Sequence, residues 1–285
     1  MIERLAWVTA RESRGRDEDE PLALAALQRA GVPVDVVDWD DPEVEWSRFD
    51  RVVLRSAWDY PQRLPEFLAW LDDVDAVSEL VNPPEAVRWS LDKQYLAELE
   101  AAGVPITPTV FVPPASVATF PAGDFVVKPA VGAGSREVAS YGADQQEIAA
   151  AHVARLHASG HTVLVQPLLT SVATEGEWPL VFFDGTFSHA ASKRVAVPRA
   201  AVVDDLFAEE TNAEHVATVA QIGVAQAAVD LVSHRLGTPT YARVDVVRDD
   251  AGQFCVLEVE LIEPSLFLPY ADEAAVERFA AVLVR

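Results

Sequence analysis

Lysine is almost missing from this chain. Of its 285 residues 22 are basic, and only Lys93, Lys128 and Lys193 are lysines, the other nineteen being arginines. In a chain that writes its surface cations as arginine, each remaining lysine marks a place that needs a compact ammonium. Basic charge as a whole is scarce too, since 45 acidic residues set the formal net charge at −23. Such a field repels nucleic acid and excludes it as a partner, so any phosphate ligand must be held by a few placed cations. The single cysteine, Cys255, cannot form an internal disulfide, and six scattered histidines give no Cys/His metal framework. His157 and His161 stand at i, i+4, but Gly160 interrupts the turn between them. Long apolar runs are absent as well: the stretch from Met1 to Trp7 is too short for a signal peptide, and Val216 to Val232 is broken by Gln221, Gln226 and Asp230. The second stretch reads as a buried helix, so the expectation is a soluble cytoplasmic protein without membrane contact. Core material is plentiful, since hydrophobic residues make up 50% of the chain, which excludes disordered and fibrous classes.

Period and spacing organise the chain from the start. Leu5 to Thr9 form a short apolar run, an acidic loop with Asp17-Glu18-Asp19-Glu20 follows, and Leu22 to Ala30 carry helical spacing up to Gly31. Strands at Val34 to Val37 and Val52 to Leu54 complete a βαβ pattern, which predicts a small parallel sheet. Ligands of such sheets sit beyond the carboxyl ends of the strands, which points to Arg11, Ser13 and Arg14 and to Arg55, Ser56, Trp58 and Asp59. No glycine fingerprint follows the first strand. Pro83-Pro84 marks a boundary. The spacing then predicts a helix over Ser90–Ala102 with Ser90 as its N-cap, and a proline-rich extended crossing from Ile106 to Pro121. Beyond it come a strand from Phe125, a helix over Asp144–Ala158, a strand over Thr162–Gln166, and a hairpin turned at Asp184-Gly185. A long helix over Ala213–Leu236 leads to two last strands, Tyr241–Arg248 and Gln253–Leu261.

That last pair carries the strongest chemical signal. Asp245 and Glu258 lie thirteen residues apart, and the midpoint falls in the turn Asp250-Ala251-Gly252-Gln253, so they should face each other. Period-two alternation adds Arg243 and Glu260 to the same face. A solvated sheet face with cross-strand ion pairs is one reading. Three acids this close need a cation, however, and hard divalent ions take oxygen ligands with nucleotide phosphates completing the shell. A Mg-nucleotide platform is the sharper reading. Lys128, at the end of a strand and followed by Gly132-Ala133-Gly134-Ser135, offers an ammonium and free backbone N–H groups to phosphate oxygens, although a flexible connection reads equally well. Val165-Gln166-Pro167-Leu168 offers free main-chain groups for an adenine edge, and an acid shortly after it suits ribose hydroxyls.

In this order the motifs resemble the ATP-grasp superfamily, and above all the amino-acid ligases related to D-alanine–D-alanine ligase and glutathione synthetase. The likeness runs from Ser90 to Leu268 through Leu91-Asp92-Lys93-Gln94, Val127-Lys128-Pro129, Gly132 to Ser135, Gln166-Pro167-Leu168, Gly176-Glu177, Lys193, Ala242-Arg243-Val244-Asp245 and Leu257-Glu258-Val259-Glu260. The resemblance implies an α/β (α+β) ATP-grasp fold: an N-terminal parallel-sheet domain over 1–84 and an ATP-grasp domain over 85–285. Within the second, a lid covers about 112–168 and a metal and nucleotide region with an antiparallel sheet about 169–285. It implies ATP bound by Lys93, Lys128, Gly132, Gly134, Gln166, Pro167, Leu168, Glu177 and Lys193. Mg²⁺ falls on Asp245, Glu258 and Glu260, and Arg243, Lys193 and Ser135 serve catalysis. Glu260 stands where the family usually has asparagine, which leaves Mn²⁺ open as an alternative metal. Arg55, Trp58, Asp59 and Arg14 are expected at a small amino-acid-like substrate, and a homodimer is compatible with the family. The segment Arg194–Asp205, where substrate contacts often lie, matches no pattern. The implied activity is carboxylate–amine ligation through an acyl phosphate. The phrases Leu54-Arg55-Ser56-Ala57-Trp58-Asp59-Tyr60 and Glu258 to Pro264 are similar to small ligases of specialised metabolism, including cyclo-ligases that make D-cycloserine from O-ureido-D-serine. Intermolecular amide ligation and a kinase stopping at the phosphorylated product are the alternatives.

Overall fold

The computed structural model describes residues 2–202 and 210–285. Its first sheet is parallel, in the order β2-β1-β3-β4: β1 (Leu5–Thr9), β2 (Val34–Asp38), β3 (Arg51–Ser56) and β4 (Glu79–Val81). Every residue of β1 is buried, as expected for a central strand covered on both faces. Trp7 and Leu27 of α1 (Glu20–Arg29) pack on one side, and Trp39 with Phe67 and Leu71 of α2 (Leu64–Asp75) on the other.

The helix expected over Ser90–Ala102 is two helices, α3 (Pro84–Leu91) and α4 (Tyr95–Ala101). Ser90 is not a cap. Its hydroxyl donates to the Val259 carbonyl and accepts from the Leu261 N–H, each at 3.1 Å. At the break, the Asp92 carboxylate takes the Gln94 N–H while the Lys93 N–H reaches the Ala130 carbonyl at 3.0 Å. Tertiary hydrogen bonds thus replace a helical turn whose intrinsic preference is small.

A second sheet, β5-β8-β6-β7, is antiparallel throughout: β5 (Val110–Val112), β6 (Phe125–Pro129), β7 (Ala139–Tyr141) and β8 (Val163–Pro167). Val153 and Leu156 of α5 (Gln146–Ala158) close one face over Phe125 and Val127. The short α6 (Thr170–Thr174) leads to the third sheet, also antiparallel, in the order β11-β10-β9-β12-β13. Its strands are β9 (Trp178–Phe183), β10 (Thr186–Val195), β11 (Glu210–His215), β12 (Tyr241–Arg248) and β13 (Phe254–Glu260). The helix expected from Ala213 begins only at Val219 as α7 (Val219–Leu236), because Thr218 and Gln221 form a capping box there. The residues ahead of it pair with β10 as an edge strand. The last helix, α8 (Glu273–Leu283), buries Phe279 against Trp7, Phe183 and Tyr241, which joins the third sheet to the first. No helix among the described residues is long and apolar enough to cross a membrane.

Candidate active site

The β12–β13 register sets Asp245 opposite Glu258 and Arg243 opposite Glu260. The polar face of this hairpin is not an open, freely solvated one. Arg243 and Asp245 are 6% and 1% exposed, which removes the reading of a wet outer surface. The Arg243 guanidinium grips Asp245 with two bonds, of 2.7 and 3.0 Å, donates to Glu260, and reaches the Ser265 carbonyl at 3.2 Å. Lys193 lies on β10 with its Nζ 3.1 Å from Asp245 and 2.8 Å from Glu177. From the gap between α3 and α4, Lys93 places its Nζ 2.9 Å from Glu258 and 2.9 Å from the Gly132 carbonyl. The three lysines, Arg243, Glu177, Glu258 and Glu260 therefore line one cleft that is open in part to solvent, with Asp245 buried directly behind Arg243 and Lys193.

The electrostatics follow from that packing. Burial alone would raise Asp245, but Arg243 and Lys193 hold its carboxyl at about 2. Glu260 goes the other way, pushed up to about 8 by desolvation, with Glu258, Asp245 and Glu263 adding to the rise against Arg243. Burial works against the Lys93 ammonium, yet Glu258, Glu260 and Glu263 keep its pKa above the ordinary lysine value. Lys128 differs. It is 8% exposed, makes no ion pair among the described residues, and has its pKa lowered by burial and by Lys93 and Lys193.

In the structure each hairpin carboxylate is turned onto a cationic side chain, and among the described residues no three acidic, histidine or cysteine side chains form a ready-made cage for a cation. The donor set is nonetheless made of hard oxygens. Mg²⁺ is commonly held by one or two carboxylates with phosphate oxygens and water, which requires no such cage, so Asp245, Glu258 and Glu260 fit it.

The other expected nucleotide residues line the same cleft. Gly132 and Gly134 form the loop after β6, and Gly134 and Ser135 both have left-handed backbones, with φ of 64° and 62°. Gln166, Pro167 and Leu168 end β8, and the Gln166 amide donates to the Thr109 hydroxyl at 2.9 Å. Glu177 is fixed at both ends, by a reciprocal backbone pair with Lys193 and by the carboxylate bond to its ammonium. Gly176 allows this: its φ is 86°, and a Cβ there would stand 2.6 Å from the Lys193 carbonyl oxygen.

At the opposite end the cleft is walled by Trp58, Tyr60, Ile262, Glu263, Ser265 and Phe267. Of the four residues expected at the substrate only Trp58 is among them. Arg55 is 0% exposed and lies behind the wall, 3.3 Å from Asp19 and 2.7 Å from the Pro264 carbonyl, with its guanidinium carbon 5.4 to 5.6 Å from the ring centres of Trp7, Tyr241 and Phe279. Full burial in that aromatic box removes it from direct substrate contact. Asp59 accepts from the Trp39 indole at 2.8 Å and, with Arg11, lines a separate shallow pocket. Arg14 pairs with Asp38 on the half-exposed surface. His157 is bonded to the Val112 carbonyl, and residues 203–205 of the patternless Arg194–Asp205 segment lie outside the described residues.

Residues 262–268 form no strand, yet buried side chains bind one backbone group after another. The Ile262 carbonyl is held by Tyr241, that of Glu263 by Trp58, that of Pro264 by Arg55 and that of Leu266 by His189. Asp19 accepts the N–H groups of Leu266 and Leu268 at 2.5 and 2.8 Å. Asp19, Tyr60 and Glu263 escaped the reading of the sequence. Glu263 lies one residue off the alternation that marks Glu258 and Glu260, and Asp19 sat in what read as an acidic loop with no role assigned.

Comparison with known proteins bears on the whole chain. Residues 5–82 match the family described as "D-cycloserine synthetase DcsG, N-terminal domain". The cycloserine biosynthesis protein DcsG of Streptomyces lavendulae is 41% identical over 297 residues, covering 98% of this chain and 97% of that protein. The crystal structure of D-cycloserine synthetase DcsG superposes with a TM-score of 0.89 at 40% identity over 98% of both chains. The ATP-grasp ligase PsnB, solved with a minimal precursor, Mg and ADP, shares the fold at a TM-score of 0.61 and 20% identity, over 99% of this chain and 98% of that one.

Proposed function

We propose, from the premise that the chain belongs to the D-cycloserine synthetase family of ATP-grasp ligases, that it closes the ring of D-cycloserine from O-ureido-D-serine at the expense of ATP. The observation that carries this reading is the meeting of Lys93, Lys128, Lys193 and Arg243 on the acidic face of one hairpin, in a chain with only three lysines.

ATP with Mg²⁺ supplies the phosphoryl group that turns the substrate carboxylate into an acyl phosphate, and the nitrogen bonded to the side-chain oxygen then displaces phosphate within the same molecule. The carbamoyl group on that nitrogen is lost with water as carbamic acid. Asp245, Glu258 and Glu260 are the residues that hold the metal. Lys128 is the cation without an ion-pair partner among the described residues and so the one most available to a phosphate oxygen, with Lys93 and Lys193 beside it. Arg243 points its guanidinium from the metal-binding acids toward the substrate end and balances charge that develops on the acyl group. Gln166 to Leu168 border the adenine and Glu177 the ribose. The loop from Gly132 to Ser135, with Ser135 facing the phosphates, keeps water from the acyl phosphate.

The same reading takes a small molecule as the partner, without nucleic acid, in a cytoplasmic enzyme that works as a single chain or a homodimer. The decisive experiment incubates the protein with O-ureido-D-serine, ATP and Mg²⁺ and follows ADP, phosphate and product mass. One ADP per cycloserine is expected. ADP without any ring product leaves a kinase, and a dipeptide formed with an added amino acid leaves an intermolecular ligase.

A further inference from the structure

Glu263 is the exception among the acids in and around the cleft. Asp245 is paired with Arg243 and Lys193, Glu258 with Lys93, Glu260 with Arg243 and Glu177 with Lys193. Glu263 is 6% exposed, lines the cleft, and has no ion pair among the described residues. Among the described residues its side-chain partner is the Tyr60 hydroxyl, which helps to hold its carboxyl down against burial. The three nearby cations are committed elsewhere, Lys93 to Glu258 and the Gly132 carbonyl, Arg243 to Asp245, Glu260 and the Ser265 carbonyl, and Arg55 to Asp19 and the Pro264 carbonyl.

The carboxylate is also held in place. Trp58 donates its indole N–H to the Glu263 carbonyl at 3.1 Å, and the Tyr60 ring is stacked on Phe67 with centres 4.9 Å apart, so the hydroxyl that meets Glu263 sits on a rigid support. A carboxylate accepts about four hydrogen bonds, and Tyr60 is the one side chain among the described residues that offers this one a donor. The rings of Trp58 and Phe267 stand in the same wall. A buried, positioned, underused negative charge among aromatic faces suits a primary ammonium, which brings one charge and three donors.

We propose that Glu263 binds the α-ammonium of the amino-acid substrate, with Tyr60 as the residue that positions its carboxylate. This rests on the ligase reading for the identity of the substrate, and on the geometry alone for the class of group recognised. Desolvation holds the Glu263 carboxyl up at about 7, a cost that a bound cation offsets. An amine masked as an amide has no charge to offer and is refused.

The test is a calorimetric titration of the full-length protein, saturated with a non-hydrolysable ATP analogue and Mg²⁺, with two probes: O-ureido-D-serine and 3-(ureidooxy)propanoic acid, which carries hydrogen in place of the amine. The wild type should prefer the first by about 10- to 100-fold, the range for a charge-assisted contact. Glu263→Gln should lose that preference by weakening the amino acid alone, with nucleotide affinity unchanged. Tyr60→Phe, which keeps the charge, should narrow it part of the way. Equal binding of both probes by the wild type overturns the proposal without any variant, and so does an undiminished preference in Glu263→Gln. A wild type that makes no cycloserine yet keeps the preference rejects the ligase reading and upholds the ammonium site.

Discussion

Arg55 and Asp19 form a buried pair whose two members should respond very differently to removal. They are 0% and 2% exposed, and 3.3 Å apart. Asp19 also binds the N–H groups of Leu266 and Leu268, while Arg55 binds the Pro264 carbonyl and leaves its Nε and Nη1 without hydrogen-bond partners. Asp19→Ala strands a guanidinium that cannot shed its proton, at about 3–5 kcal/mol, and frees two backbone N–H groups that cost about 1–3 kcal/mol each. These costs overlap, and about 4 kcal/mol or more is expected. Arg55→Met removes the other charge, and the carboxyl left behind has a way out: burial already raises its pKa, so it takes up a proton and keeps both N–H bonds. About 1–2 kcal/mol is expected for that variant, chiefly for the lost bond to Pro264. Urea unfolding at neutral pH, followed by tryptophan fluorescence, measures both. An Arg55→Met cost equal to or above that of Asp19→Ala refutes the reasoning, as does an Asp19→Ala cost under about 1 kcal/mol. Turnover should fall with Asp19→Ala in any case, because the loop it secures presents the Ser265 carbonyl to Arg243 and forms the substrate wall with Phe267.

Lys128→Met removes a buried charge that has no ion pair among the described residues, so the melting temperature should hold while ADP formation drops at least about 100-fold, whereas Lys193→Met orphans Glu177 and takes from Asp245 one of its two cations and should cost about 3 kcal/mol or more of stability as well. Gly176→Ala combines a left-handed φ with a contact on the Lys193 backbone, and about 2–4 kcal/mol of destabilisation with a raised KM for ATP is expected by thermal melting and steady-state kinetics. His189 is kept neutral by burial, its pKa down at about 4 from 6.5, so between those values the unfolded chain binds a proton that the folded one refuses. Its contribution is full above pH 6.5, and about 3 kcal/mol is lost as the pH falls to 4, a slope that His189→Gln should flatten in urea titrations. Chelation with EDTA should stop ADP release and Mg²⁺ restore it, with Mn²⁺ as the second metal to compare. Turnover indifferent to EDTA counts against Asp245, Glu258 and Glu260 as metal ligands.

The part of the site that rests on short-range pattern was legible in the sequence. Counting to a turn centred between residues 251 and 252 set Asp245 opposite Glu258; in the structure the strands pair one residue off that count beside the turn, Arg248 with Phe254, and a bulge between Asp245 and Val246 brings the pair into line. The scarcity of lysine singled out three residues that the fold does bring to one cleft, from a helix break, a strand end and the middle of another strand. What escaped depends on partners far away in the chain. Arg55 at a strand end reads as a hand offered to a ligand until Asp19, 36 residues earlier, and the Pro264 carbonyl, 209 residues later, close around it. Glu263 breaks the period of β13, and only the turn of the chain after Glu260 brings it back to the cleft. The helix over Ser90–Ala102 was broken by bonds to β13 and to Ala130 that no local propensity reports.

The hairpin shows why both readings of its acidic face contained something true. Cross-strand ion pairing is present, Arg243 to Glu260 and Arg243 to Asp245, as a solvated sheet would have it. Yet a surface pair contributes little and tolerates water, while Arg243 and Asp245 are buried and Glu260 is mostly so, and such charges must be largely neutralised. Two strands cannot supply that. Lys193 comes from β10 and Lys93 from the break before α4, and the Glu260 carboxyl still stands near pKa 8, raised first by desolvation and then by Glu258, Asp245 and Glu263 against Arg243. An acidic face buried in this way is stable only with cations drawn from elsewhere in the fold. The same demand gives a chain of net charge −23 a place for a metal and a triphosphate.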